Sequence, residues 1–434
     1  MKNAYPEYKQ SKLDWFKEVP HHWSLVKVAW DIPFVTGWTP STSQASYFDG
    51  NNIWVSIRDM KSKTINRSEK KISDDAINDK GMPLVPKGSL LFSFKLSVGK
   101  VGFAGIDLYT NEAIAAFMPN IKVSLKFLYY AAPIFLPKYG QHNIYGSLLL
   151  NRERIEKART YVPPVHEQLI ITNYLDYEVG RIDELISEKQ NFIKLLKEKR
   201  QALISHVVTK GTELTGNPDE KYDFIEINST FDIVPFTKYV VDKSDYRGKT
   251  PNKTDSGIFL VTAKNIKMGY INYSASSEYI SKDDYEDVMS RGKPKIGDIL
   301  LTTEAPLGNI ALVDDESIAL AQRVIRFRVD QSKFDNLYML RLMTSDFFQN
   351  QLNKVATGIT AKGIKASKLS GLKVIMPPLD EQKKIVSLIE SKIIPINSLI
   401  SEVSTSIDLL KERRTALISA AVTGKIDLRD KEVA

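Results

Sequence analysis

The chain has 434 residues, 43% hydrophobic and 26% charged, with 22 Gly, 19 Pro and no Cys. That composition excludes a disordered or collagenous polypeptide and suggests roughly two to four domains. The missing cysteines exclude a disulfide frame, a thiolate zinc site and a cysteine nucleophile.

The 60 Lys and Arg outnumber the 52 Asp and Glu, leaving a net charge of +8, which favours an anionic partner. The surplus is uneven: residues 1–160 carry 22 basic against 14 acidic side chains, whereas residues 222–374 carry 21 against 19. The opening residues are polar and interrupted by Pro6 and Pro20, and no stretch of the sequence approaches the roughly 18 apolar residues of a bilayer span. A soluble, cytoplasmic protein without a membrane partner is expected.

In chain order, residues 1–160 alternate short β-type runs (53–57, 90–94) with a helical stretch (125–135), the pattern of an α+β domain. Residues 161–210 then align without a gap on residues 375–424, at an offset of 214 with 22 identities. Such self-similarity governs the reading of everything else. Both copies open Pro-Pro-x-x-Glu-Gln, at Pro163 and Pro377, which suits the first turn of a helix starting near 164 and near 378. Ile182, Ile186, Lys189, Ile193, Leu196, Arg200, Leu203 and Val207 follow a 4-3-4-3 spacing, as do Ile396, Ile400, Val403, Ile407, Leu410, Arg414, Leu417 and Ala421. This is a coiled-coil seam. Gly180 and Pro395 weaken a helix interior, so a short helix followed by a long one of about 27 residues, about 40 Å, is expected in each copy. A linker (212–221) leads to a second α+β block (222–374) with strands at 258–262, 299–302 and 324–329 and a helix at 334–350, then to the second repeat (375–425) and a C-terminal tail (426–434).

The two blocks are themselves faintly alike. Gly37-x-Thr39-Pro40 answers Gly248-x-Thr250-Pro251, Val55-Ser56-Ile57-Arg58-Asp59 answers Val261-Thr262-Ala263-Lys264-Asn265, and Gly88-Ser89-Leu90-Leu91 answers Gly297-Asp298-Ile299-Leu300. The expected architecture is α+β, with two similar globular domains separated by a long antiparallel coiled coil of the two helical repeats, related by a pseudo-two-fold axis.

Between the elements lie loops in which Thr, Ser and Asn stand beside Lys and Arg. Cations neutralise phosphates, and the polar side chains exchange hydrogen bonds with base edges. On that chemistry, and on paired position, the candidate DNA contacts are Thr39, Ser41, Arg58, Lys61, Lys95, Ser97, Tyr145, Asn151 and Arg152 in the first block, and Thr250, Asn252, Lys264, Lys267, Thr303, Thr360 and Lys362 in the second.

Enzyme signatures are missing. Gly248-Lys249-Thr250 lacks the glycine five positions earlier that a phosphate loop needs, Lys243 standing there. No Asn-Pro-Pro-Tyr or Asn-Pro-Pro-Phe is present for a flipped adenine, and the adjacent His21 and His22 make a poor metal site.

The doubled Pro-Pro-x-x-Glu-Gln opening and the doubled Leu-Leu-Lys-Glu-x-Arg-x-Ala-Leu-Ile-Ser ending, together with Tyr5-Pro6-Glu7-Tyr8-Lys9 and the 15–23 segment, resemble the DNA specificity subunit of type I restriction-modification enzymes. The resemblance covers essentially the whole chain. It implies a non-catalytic subunit whose two target recognition domains (1–160 and 222–374) each read one half of a split, asymmetric target in double-stranded DNA. It also implies partners: two modification subunits that methylate adenine, and restriction subunits that translocate and cut DNA. No cofactor is then bound by this chain; S-adenosylmethionine, ATP and Mg belong to the partners. The two repeats become spacer and docking surface, with Glu167, Gln168, Lys197, Arg200, Glu381, Gln382, Lys411 and Arg414 as docking candidates. Two features depart from the pattern: the second block shows no counterpart of the 15–23 segment, and it is nearly charge-neutral. The competing readings are a coiled-coil adaptor that binds only protein, and a methyltransferase or nuclease with unrecognised motifs.

Overall fold

The computed structural model describes residues 4–95, 97–119, 122–142, 146, 148–212, 220–222, 225–246, 251–358 and 362–431. The chain forms two compact units, Met1–Glu188 with Ser406–Ala434, and Lys189–Thr405. The first unit is discontinuous in the chain and the second is continuous, and neither follows the linear division into blocks and repeats. Each combines a globular block and the start of the helix that follows it with the far end of the other long helix.

In the first unit the central sheet runs in the order Phe34–Thr36, Ile114–Phe117, Leu90–Ser93, Val101–Ala104, Thr64–Ile65. The strands Ile114–Phe117 and Leu90–Ser93 in its middle are buried at every position because both faces are covered. Leu90 and Phe92 join a core with the helix Leu125–Phe135, while Leu91 joins a second core on the opposite face with Val55, Ile65 and Ile114. The second unit repeats this plan with the sheet Val240–Asp245, Val324–Val329, Ile299–Thr303, Leu307–Leu312. Ile299 and Leu301 face one core and Leu300 the other. Burying such a side chain contributes about 1.5–3 kcal/mol. The expected helix at 334–350 is two helices, Asn336–Thr344 and Asp346–Val355, parted at Ser345.

Each repeat is one uninterrupted helix, Val165–Lys210 and Leu379–Val422, which corrects the expected break at Gly180 and Pro395. Gly180 is exposed, and a helix accepts that loss of about 1 kcal/mol when its other face is packed. The seam is as expected: from 182 to 207 its eight positions are buried or half-buried, while nearly all their neighbours are exposed. Within each unit the two helix segments pair in opposite senses. In the first, Arg414 bonds Asp183 at 2.8 Å, and Gly424 lies against Trp23, which itself bonds Glu167. In the second, Arg200 bonds Asn397 at 2.6 Å, and Thr212 bonds Glu381.

Two further expectations are corrected. The second block does have a counterpart of the N-terminal segment. The hairpin of Glu220–Tyr222 with Ile225–Ile227 answers that of Tyr8–Gln10 with Glu18–Pro20, and Phe231 packs on Gly211 as Trp23 packs on Gly424. The supposed tail is part of the first core, with Leu428 buried and Ile426 packed against it. By length and composition alone the second long helix also meets the requirement for a bilayer span, one window having a mean hydropathy of 1.2, contrary to the expectation that no stretch comes near it. That helix nevertheless sets Ile385, Ile389 and Ile393 in the core of its unit.

Candidate nucleic-acid interface

In the first unit a short connection after the strand Tyr109–Thr110 gathers three loops. The carbonyl of Thr110 accepts from the Trp38 amide, Asn111 donates to Val55, and the carbonyl of Ala113 accepts from Phe94. Gly37 is required here: a Cβ would sit 1.7 Å from the Thr110 carbonyl oxygen. Thr39 then donates to Glu112. The loops at 37–41, 56–61 and 94–100 thus meet at one end of the sheet, bringing together Thr39, Ser41, Arg58, Lys61, Lys95 and Ser97. Arg58 is exposed because its turn is fixed from within: the Asp59 carboxylate accepts from the Ser56 amide and hydroxyl, both at 2.8 Å.

The second unit builds the same turn. The Asn265 side-chain oxygen accepts from the Thr262 amide at 3.0 Å and hydroxyl at 2.8 Å, leaving Lys264 exposed in the place of Arg58. The gathering connection is equivalent too, Ala321 donating to Val261 and Arg323 accepting from Thr303. What it presents is different. The position of Lys95 is taken by Glu304, whose carboxylate pairs with Arg323 at 2.6 Å. Lys253 pairs with Glu278 at 2.7 Å, and this bond, with Lys264 nearby, holds the Glu278 carboxyl below its usual range. Lys267 lies half-buried in its hairpin, and Asn252 and Lys362 are exposed.

Several sequence candidates stand elsewhere. Thr303 is buried, its backbone engaged with Arg323 and Ile364, so its side chain is withdrawn from any ligand; the run of small polar residues that suggested it is a strand interior. Asn151 caps the helix Arg152–Lys157 by accepting from the Arg154 amide, and Arg152 pairs with Glu156 over the Phe34 ring, at the opposite end of its strand from Gly37. Tyr145, Thr250 and Thr360 lie outside the described residues.

The docking candidates divide sharply. Gln168 is fully buried: its carbonyl accepts from the Ser124 amide, and its amide donates to Lys122 and Pro163. Gln382 repeats this with Asp335, Lys333 and Pro377. Glu167 is buried, accepting from Tyr5 and Trp23 and meeting His22 at 2.7 Å, and Glu381 holds Thr212. Arg200 and Arg414 are spent on Asn397 and Asp183. Glu167, Gln168 and Gln382 are buried joints between a helix and its neighbouring block, which corrects their reading as docking residues, whereas Glu381, Arg200 and Arg414 are half-buried and engaged within a unit. Only Lys197 and Lys411 are exposed. The sequence reading missed their neighbours: Leu185 and Leu195, and the equivalent Leu399 and Leu409, are exposed large apolar side chains that are the same in both copies. The signal was present in the alignment of the repeats, as leucines standing outside the seam.

Elsewhere in the second unit, Arg326 is fully buried and binds Asp298 at 2.9 Å, Asp242 at 2.7 Å and Ser244 at 2.7 Å. The hydrogen bond from Arg326 holds the Asp242 carboxyl below the usual range, against its partial burial. Among the described residues no group of three or more His, Asp or Glu is placed to hold a metal ion.

The model of the type I restriction modification DNA specificity domain matches residues 31–195 and 237–407. The chain is 24% identical over 425 residues to the type I restriction enzyme MjaVIII specificity subunit of Methanocaldococcus jannaschii, covering 95% of each. It is 20% identical over 367 residues to the type I restriction enzyme EcoBI specificity subunit of Escherichia coli, covering 79% of this chain and 76% of that one. A solved structure from work on complex assembly and conformational transition of the type I R-M system shares its fold, with a TM-score of 0.66 at 13% identity, over 94% of this chain and 99% of that one. The matched segments take in both globular blocks and much of both long helices, and on that extent the chain belongs to the family of the type I restriction modification DNA specificity domain.

Proposed function

We propose that this chain is the specificity subunit of a type I restriction-modification complex and reads a split, asymmetric sequence in double-stranded DNA, one element per unit, with a fixed non-specific gap. The observation that carries this is the doubled turn. Arg58 and Lys264 are presented by the same internally bonded scaffold, yet their surroundings differ, Lys95 in one unit answering an ion-paired Glu304 in the other. Equivalent scaffolds with unlike side chains read unlike base edges, so the two elements differ in sequence.

The chain performs no chemistry in this reading. Two modification subunits dock on it and methylate adenine with S-adenosylmethionine, and restriction subunits add ATP- and Mg-dependent translocation and cleavage. Docking of two copies of one partner is supported by Leu185, Leu195 and Lys197, which recur as Leu399, Leu409 and Lys411, all exposed.

Co-expression with the neighbouring modification subunit, followed by modified-base sequencing, tests the proposal. The expected result is a methylated motif of two short unlike elements at constant spacing, with Arg58→Ala relaxing one element and Lys264→Ala the other. A continuous palindrome overturns it. A protein-only adaptor would show no salt-dependent DNA binding in the complex, and methyl transfer by the purified chain alone would mark an enzyme.

A further inference from the structure

We propose that a basic groove in the first unit, distinct from its recognition loops, holds the phosphate backbone of duplex DNA flanking the element which that unit reads. The inference rests on the DNA-reading function proposed above and adds a contact that carries no sequence information.

The groove, about 670 Å³, is walled by Lys12, Lys27, Lys138, Lys157, Arg159 and Trp15. Strand register sets Lys27 opposite Arg159. Lys138 is delivered by a short turn whose Tyr139 hydroxyl donates to the Arg159 carbonyl at 2.9 Å, and Lys12 by a loop whose amide donates to the Tyr161 hydroxyl at 3.1 Å. Lys157 pairs with Glu153 on its own helix, and both are well exposed. Among the described residues, Lys12, Lys27, Lys138 and Arg159 make no ion pair; Lys27 lies over the exposed Trp30 ring. Like charges confined to one groove repel, and Asp14 is the one acid on its wall. The Trp15 side chain completes the same wall. Cations without acidic partners converging on one groove fit a polyanion.

The duplication separates this feature from the shared scaffold. Lys27 and Arg159 are answered by Pro235 and Lys373, and Lys157 by Gly371, so the second unit does not rebuild the same set of cations. The groove therefore gives a location to part of the basic surplus of residues 1–160.

Its place favours duplex DNA over a small anion. Lys157 ends the helix Arg152–Lys157, whose first residue lies over Phe34, and Phe34 begins the three-residue strand that opens into the Gly37 loop. Six helical residues, three extended residues and the contact between Arg152 and Phe34 span up to about 25 Å, about seven base pairs of duplex. Arg152 thus stands between the recognition loops and the groove.

The test uses the full chain in complex with its modification subunits and measures equilibrium binding to two duplexes, one ending at the target and one extended by a helical turn on each side. The variant carries Lys12→Gln, Lys138→Gln and Arg159→Gln. On the extended duplex its slope of log K against log salt is expected to be shallower by up to about 2.7, three phosphate contacts at 0.9 each. On the short duplex variant and wild type bind alike, the ratio of target to non-target affinity is unchanged, and replacing both lysines by arginine while keeping Arg159 preserves the wild-type slope. An unchanged slope on the extended duplex, an altered target preference, or loss of assembly with the modification subunits overturns the assignment. If the wild-type complex binds no duplex at all, the proposed function falls with it; if it binds with a slope indifferent to extension, only the groove falls.

Discussion

The amide of Gln168 closes three hydrogen bonds between the start of a long helix and the globular block before it, and Gln382 closes the same three in the second unit. Truncating either side chain strands a backbone donor and two carbonyls in a buried site. Gln168→Ala or Gln382→Ala should therefore cost about 2–3 kcal/mol, read as a lower denaturation midpoint with folded secondary structure retained. The Pro-Pro-x-x-Glu-Gln motif was legible as a helix start, but its glutamine looked like surface, because sequence shows which bonds an amide can make and not whether water is there to make them. Thr303 misled for the same reason. A second prediction concerns Asp242, whose carboxyl is held down by its hydrogen bond from Arg326. A carboxylate depressed in the folded state lends stability that is fully present above its unfolded pKa of about 3.9 and is lost as pH falls through the lower folded value. Acid titration of unfolding should show wild type losing stability on acidification, and Asp242→Asn, which starts lower at neutral pH, losing less over the same interval. Parallel curves would show that the pair does not couple to folding.

The long helices show what periodicity can and cannot reveal at the scale of an element. Their seam was readable because a buried stripe repeats every three to four residues whatever it packs against. The predicted break at Gly180 was not realised, since local propensity is a weak term beside a packed stripe. Gly180 has an exposed position, an ordinary helical backbone and open space where a Cβ would stand. Gly180→Ala should accordingly stabilise the first long helix by about 0.5–1 kcal/mol, raising the thermal midpoint without altering DNA binding; a lower midpoint would show that the helix needs its glycine. The hairpin at Glu220–Tyr222 and Ile225–Ile227 was invisible in the sequence. It answers the N-terminal hairpin through backbone pairing, which leaves no residue signature, and through Phe231 in place of Trp23, a replacement that keeps an aromatic face and loses the identity that alignment relies on. The compact units were equally hidden, because the unit boundary falls inside both long helices and the end of the second helix joins a block remote in the chain.

For the molecule as a whole, the duplication makes the position of the chain ends arbitrary. In the first unit the end of the second long helix meets the N-terminal hairpin without a covalent link. Tyr8 donates to the Gly424 carbonyl at 3.1 Å, Leu428 enters the core beside Tyr5, and the Arg429 guanidinium lies 5.1 Å from the Tyr5 ring centre. In the second unit the equivalent junction, from Gly211 to the hairpin beginning at Glu220, is continuous chain. A circular permutant that starts near Glu220, ends near Thr212 and links Arg429 back to Tyr5 through a short flexible linker should therefore fold, since segments that already lie together need little loop-closure entropy. Its denaturation midpoint should lie close to that of the wild type, and with the modification subunits it should yield the same methylated motif. A collapsed but non-cooperative product would mean that the second junction, unlike the first, depends on its covalent tie. The contacts argue against that outcome: Phe231 closes on Gly211 and Glu381 binds Thr212, as Trp23 closes on Gly424 in the unit where no peptide bond helps.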